Sequence, residues 1–300
     1  MVKRLVLGAA SAVISCSSLA LIAGGTSTVS ASLVPAVASG TFIPAPGRPH
    51  THTHAARGLV NQWSSNWSGY VQSAFNRHIF TAVTDTFVVP TVTSSVAGTQ
   101  YAADWVGIGG FNDHDGSLVQ DGIQAVVTTS DNTTTVSYDA WTEILPHAEK
   151  PLKLAISVGD VITATVQETA TNRWLMTVDD VTTGKSLGRP VRYRSSGLSA
   201  EVIHERPCIA EPCSSHLADL AQTPDITFEP GFYSEAPVGL APVYLGLLGS
   251  ANDAVLNSVT MEVDDGNQEV TVFATPSPAN ATQDGFTVAD GDVAPPAPTI

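Results

Sequence analysis

Basic residues are scarce in this chain: 13 Lys plus Arg stand against 28 Asp plus Glu, for a formal net charge of −15 over 300 residues. A surface of that sign repels nucleic acid and anionic membranes, so neither is expected as a partner. It also loses its self-repulsion as carboxylates protonate near their ordinary pKa of about 4, so the composition suits acid. Cysteine is nearly absent too, with three in all; Cys16 lies in an apolar leader, leaving only Cys208 and Cys213 for a mature chain. No long amphipathic helical spacing appears, which argues against a bundle. No Gly-x-Ser-x-Gly occurs, and Ser199 in Gly197-Leu198-Ser199-Ala200-Glu201 lacks an elbow pattern, so a serine triad is poorly supported.

The ends of the chain read as processing and linker segments. Lys3 and Arg4, the apolar run Leu5 to Ala23 and the small residues Val29-Ser30-Ala31 mark 1–31 as a signal peptide, which makes the protein secreted and extracellular. Val13-Ile14-Ser15-Cys16 offers a lipoprotein box as the alternative, but the apolar run continues past Cys16 through Leu19-Ala20-Leu21-Ile22. Residues 32–61, rich in Ala, Pro, Gly, Ser and Thr, form a propeptide or linker; His50, His52 and His54 within it read as a solvated tract rather than a metal site. Residues 276–300, with Pro295, Pro296 and Pro298, read as a tail. The span between, 62–275, has an ordinary size for one all-β domain.

Within that span the periodicity is that of strands. Thr84 to Val89, Gly122 to Thr129, Thr133 to Glu143, Val161 to Thr169, Arg173 to Val178 and Ser258 to Val263 are rich in Val, Thr, Ile and aromatics. Turn residues separate them, among them Ser130-Asp131-Asn132, Val158-Gly159-Asp160 and Asp264-Asp265-Gly266-Asn267. Many short strands with hairpin turns predict a sandwich of two antiparallel sheets.

Seven motifs then follow in one order: Ser65-Asn66-Trp67-Ser68-Gly69-Tyr70, Thr86-Phe87-Val88-Val89-Pro90, Trp105-Val106-Gly107-Ile108-Gly109-Gly110, Leu118-Val119-Gln120-Asp121-Gly122, Tyr138-Asp139-Ala140-Trp141-Thr142-Glu143, Ala200-Glu201-Val202-Ile203-His204-Glu205 and Leu217-Ala218-Asp219. In that order they resemble the glutamic peptidases, or eqolisins. The resemblance implies an all-β, concanavalin-like sandwich with a catalytic Gln and Glu on its concave face, here Gln120 and Glu201, and a polypeptide substrate. Two positions depart from it. The family commonly has Asp where this chain has Gly109, and Trp after the catalytic Glu where this chain has Val202.

The chemistry can also be argued from the residues themselves. Alternate strand residues share a face, so Glu201 and Glu205 point together, as do Gln120, Gly122 and Gln124, and Asp139, Trp141 and Glu143. A carboxylate such as Glu201 can take a proton from water as it attacks a peptide carbonyl, while the Gln120 amide donates to the developing oxyanion. Glu143 and Glu205 are expected to raise the Glu201 pKa by like-charge repulsion and, with Trp67, Trp105 and Trp141 as apolar walls, to contact substrate. Residue order leaves open whether Glu201 or Glu205 is the base; the motif favours Glu201. This chemistry needs no cofactor and no metal, and the protein is expected to act as a monomer.

Other readings compete. His204, Cys208, Cys213 and His216 have zinc-ligand character, but two cysteines alone in an oxidising compartment are expected to form a disulfide across their short loop. Asp113-His114-Asp115 could hold a metal and reads instead as a polar hairpin tip. The rival function is a carbohydrate-binding or glycoside-hydrolysing sandwich, for which two carboxylates about 5 to 9 Å apart are needed and Gln120 has no part. A non-catalytic adhesion module would need only the sheet.

Overall fold

The computed structural model describes residues 59–74, 78–111, 115–131, 133–237, 244–247, 254–264 and 269–299. The leader with Cys16, the histidines at 50, 52 and 54, and Asp113-His114 lie outside them. The described residues are almost entirely strand: β1 (Leu59–Ser64), β2 (Trp67–Ala74), β3 (His78–Val88), β4 (Gly98–Ile108), β5 (Val119–Ser130), β6 (Thr133–Ile144), β7 (Lys150–Pro151), β8 (Val161–Ala170) and β9 (Arg173–Asp180). Then come β10 (Lys185–Arg192), β11 (Ser199–Glu205), β12 (Asp219–Leu220), β13 (Ile226–Phe228), β14 (Phe232–Pro237), β15 (Tyr244–Leu247), β16 (Ala254–Asp264), β17 (Val270–Pro276) and β18 (Phe286–Asp290). One 3-10 turn, Cys213–Ser215, is their only helical element.

Two antiparallel layers result. The first runs β16-β2-β11-β4-β5-β6-β7, with β1 added parallel to β16 at its edge. The second runs β10-β9-β8-β3-β14-β15. Their facing sides interdigitate: Tyr70, Val106, Ile123, Ala140 and Val202 of the first pack with Phe80, Val83, Ile162, Val166, Trp174 and Met176 of the second. Each of these comes from an alternating strand whose other residues point outward. The expected strands at Thr84, Gly122, Thr133, Val161, Arg173 and Ser258 fall within β3, β5, β6, β8, β9 and β16.

The sandwich extends beyond the span read for it at both ends. β1 begins at Leu59, and the segment 276–300, read as a tail, contains β18, which pairs with β13 and β17 and buries Phe286 and Val288. The Pro-rich composition near 295 hid a strand of alternating apolar residues just before it. Through β17, β18 and β13 the two layers are joined along one side.

Candidate active site

The outward face of the first layer carries a second apolar cluster, in which Trp67, Val71, Trp105, Leu118, Trp141 and Ile203 surround polar groups. Cross-strand register aligns those groups. Glu201 on β11 stands opposite Gly107 on β4, Gly107 opposite Gln120 on β5, and Gln120 opposite Glu143 on β6. The four form one transverse row. Alongside it runs a row of Ile203, Trp105, Gly122 and Trp141, and beyond that Trp67, Glu205, Ala103, Gln124 and Asp139. Every residue singled out from the sequence as catalytic or substrate-contacting therefore lies on one face of five adjacent strands.

Their hydrogen bonding differs sharply. Both oxygens of Glu205 are engaged: Asn66 Nδ2 donates at 2.9 Å and Trp67 Nε1 at 3.3 Å to one, and Trp105 Nε1 at 2.8 Å to the other. Trp67 and Trp105 meet edge to face with centroids 4.9 Å apart. These two indoles and Glu205 thus form a hydrogen-bonded knot beside the row. Glu201 is fully buried, yet neither of its oxygens has a hydrogen-bond partner. Gln120 donates from Nε2 to Glu143 Oε2 at 2.5 Å, while its Oε1, Glu143 Oε1 and Trp141 Nε1 are buried without partners. Buried polar atoms are seldom left so.

Burial dominates the electrostatics. It pushes the Glu201 carboxyl well above the usual range; the charge of Asp115 adds to this, and the neighbouring Ser199 hydroxyl and a backbone amide, neither in hydrogen-bond geometry with it, offset part of it. Burial likewise raises Glu143, helped by Glu149 and Glu205 and opposed by the Gln120 amide. Repulsion of Glu201 by Glu143 and Glu205, as expected from the sequence, is therefore replaced by repulsion from Asp115. That residue was missed as part of the site because its tract reads as a hairpin tip. Asp115 accepts from Gly110 N at 3.2 Å, from Ser117 N at 3.0 Å and Oγ at 2.6 Å, and from the Ser196 hydroxyl. It ties the turn after β4 to the connection before β11. Gly109, where the resembled family commonly has Asp, adopts φ +94°, and a Cβ there would stand 2.4 Å from the Ser117 carbonyl oxygen. No side chain fits.

The alternative chemistries fare less well. Cys208 and Cys213 form a disulfide with Cα atoms 5.1 Å apart. His204 points to the opposite face, where its Nδ1 meets Asp104 at 2.8 Å. The zinc reading loses two of its ligands to the disulfide and a third to that carboxylate. Ser199 is buried on the site face of β11, with no histidine hydrogen-bonded to it. Among the described residues no helix is long and apolar enough to cross a membrane.

Known proteins resemble this chain in sequence and fold. Residues 65–230 match the Peptidase A4 family. Aspergillopepsin-2 of Aspergillus niger is 32% identical over 150 residues, 43% of this chain and 50% of that protein. Scytalidopepsin B of Scytalidium lignicola is 32% identical over 173 residues, 55% of this chain and 60% of its own length. The chain thus spans half to three fifths of the curated relatives it matches. A crystal structure of scytalido-glutamic peptidase with a transition state analog inhibitor superposes with a TM-score of 0.53 at 23% identity, covering 75% of this chain and 98% of that one, and shares its β-sandwich fold. Since the family match takes in more than half of the 300 residues, the chain belongs to the Peptidase A4 family.

Proposed function

We propose that the protein is an exported endopeptidase working in acid, in which Glu201 activates water and Gln120 stabilises the oxyanion. The observation that carries the reading is the row itself: Glu201 and Gln120 flank a residue without a side chain, and both present buried polar atoms that lack partners. On this reading the second N–H of the Gln120 amide donates to the scissile carbonyl, and a water donates to the partnerless Glu201 carboxylate. Glu205 is a poorer base, since three donors hold its charge in place. Because burial raises the Glu201 carboxyl, the same group can carry the proton it takes from water onward to the leaving amine.

The sugar reading finds less support. Glu201 and Glu143 stand three strand spacings apart, about 14 Å between backbones, and Gln120 lies between them. Casein digestion at acid pH beside a polysaccharide screen, run on the wild type, Glu201→Gln and Gln120→Ala, tests the proposal. Peptide cleavage lost in both folded variants supports it; cleavage retained in either, or turnover of polysaccharide alone, sinks it.

A further inference from the structure

We propose that Asp85 and Asp121 are a pH-sensitive switch in the interior of the sandwich: uncharged in acid they let the two layers close on each other, and ionised towards neutral pH they drive the layers apart. The inference does not rest on the peptidase reading, since neither residue belongs to the row on the outward face. One acid stands on each layer. Asp121 lies on β5 of the first, in register with Val106 and Thr142, and Asp85 on β3 of the second, in register with Ala164. Strand alternation turns both inward, Asp121 between Val119 and Ile123 and Asp85 between Val83 and Phe87, all of them core residues. Both acids are fully buried.

The surroundings of both carboxyls suit a proton better than a charge. Neither Asp121 oxygen has a hydrogen-bond partner; Asp85 accepts from Thr86 N at 2.7 Å through one oxygen, and its other oxygen has none. Facing Asp121 from the second layer are the main-chain amides of Thr177 on β9 and Thr165 on β8, outside hydrogen-bond geometry, and the Asp179 carboxylate. Arg189 of β10 reaches the same seam but donates to Thr142 Oγ1, at 3.1 Å. Asp85 is faced by two further carboxylates, Asp284 and Glu229. Burial therefore holds both carboxyls well above the usual range. An ionised carboxylate without partners cannot stay in an apolar seam, and it gains its solvent by opening that seam. The stability at stake is fully present below the unfolded value of about 4; above it, each acid costs the folding equilibrium about tenfold per pH unit until the folded value is reached.

Urea denaturation at about pH 4, 5.5 and 7 provides the test. Asp121→Asn and Asp85→Asn keep the side-chain shape and cannot ionise. Each is expected to make the loss of stability with rising pH shallower by about tenfold in the folding equilibrium per pH unit, and the double variant is expected to be the shallowest. Asp225→Asn, at an exposed acid, is expected to follow the wild type. The apolar dye anilinonaphthalene sulfonate is expected to bind the wild type at neutral pH, where the layers open, and to bind the double variant far less. Should an asparagine variant fail to fold even in acid, Asp121→Val, matched to Val106 and Val119 beside it, carries the same comparison. Wild-type pH dependence in either single variant, undiminished dye binding in the double variant, or a wild type as stable at neutral pH as in acid overturns the proposal.

Discussion

Glu201 and Glu205 lie four residues apart on β11, share its outward face and are both fully buried, but their surroundings are opposite. Glu205 sits among three donors and joins Asn66, Trp67 and Trp105 into a knot; Glu201 meets none. Burial alone therefore does not distinguish a structural carboxylate from the one proposed to react. What distinguishes them is whether the protein itself completes their hydrogen bonds. One end of the strand is finished by the fold; on the proposed reading the other takes its bonds from an incoming molecule.

The strongest way to break that contrast is exchange at the two positions. Glu201→Gln removes no hydrogen bond from the fold, so it is expected to melt near the wild type while losing about a hundredfold to ten-thousandfold in kcat, the range for a lost general base. Loss of stability without loss of turnover would reverse the assignment. Glu205→Ala is expected to do the opposite in kind. It strands three buried donors at about 1 to 3 kcal/mol each, so chemical denaturation is expected to show a large fall in stability, with lost activity following unfolding. Gln120→Ala is expected to remove about a hundredfold to a thousandfold of turnover and also to free Glu143, whose hydrogen bond it supplies.

Titration sharpens the comparison. Burial raises Asp85, Asp121, Glu143 and Glu201 in the folded state, so each contributes stability that is fully present below its unfolded pKa of about 4 and is lost as pH climbs through the folded value. His204 acts in the same direction: desolvation lowers its pKa, but the Asp104 carboxylate outweighs this and raises it, so its contribution holds below about 6.5 and fades above. Melting temperature is expected to be highest in acid and to fall towards neutral pH. A protein that gains stability from acid to neutral would contradict these shifts. The smallest effect belongs to the Cys208–Cys213 bridge, whose short ring restrains few unfolded conformations; reduction is expected to lower stability by about 2 kcal/mol or less, read by calorimetry with and without reductant.

Much of this was legible before the structure. The alternating strands and the order of motifs carry the fold class, and period-two alternation put Glu201 with Glu205 and Gln120 with Gly122 on shared faces. What did not show was cross-strand. Nothing in the spacing of Gln120 and Glu201 reveals that Gly107 stands between them, because register joins residues distant in sequence. The engagement of Glu205 by two indole N–H groups was hidden for the same reason, and the tryptophans read as walls. Asp115 was obscured by its polar turn, and β18 by the prolines that follow it. Local pattern reports which face a residue takes; only pairing reports what it meets there.

The edge of the first layer has a consequence for timing. β1 lies parallel to β16, with Leu59 beside Leu256, and the two layers are joined through β18 near the far end of the chain. Strands made first thus wait for partners made last. During synthesis the early segments hold every group of the row except Glu201, yet the sheet cannot close around them until the late strands arrive. On the peptidase reading proposed above, activity is withheld for as long as those last strands are still missing.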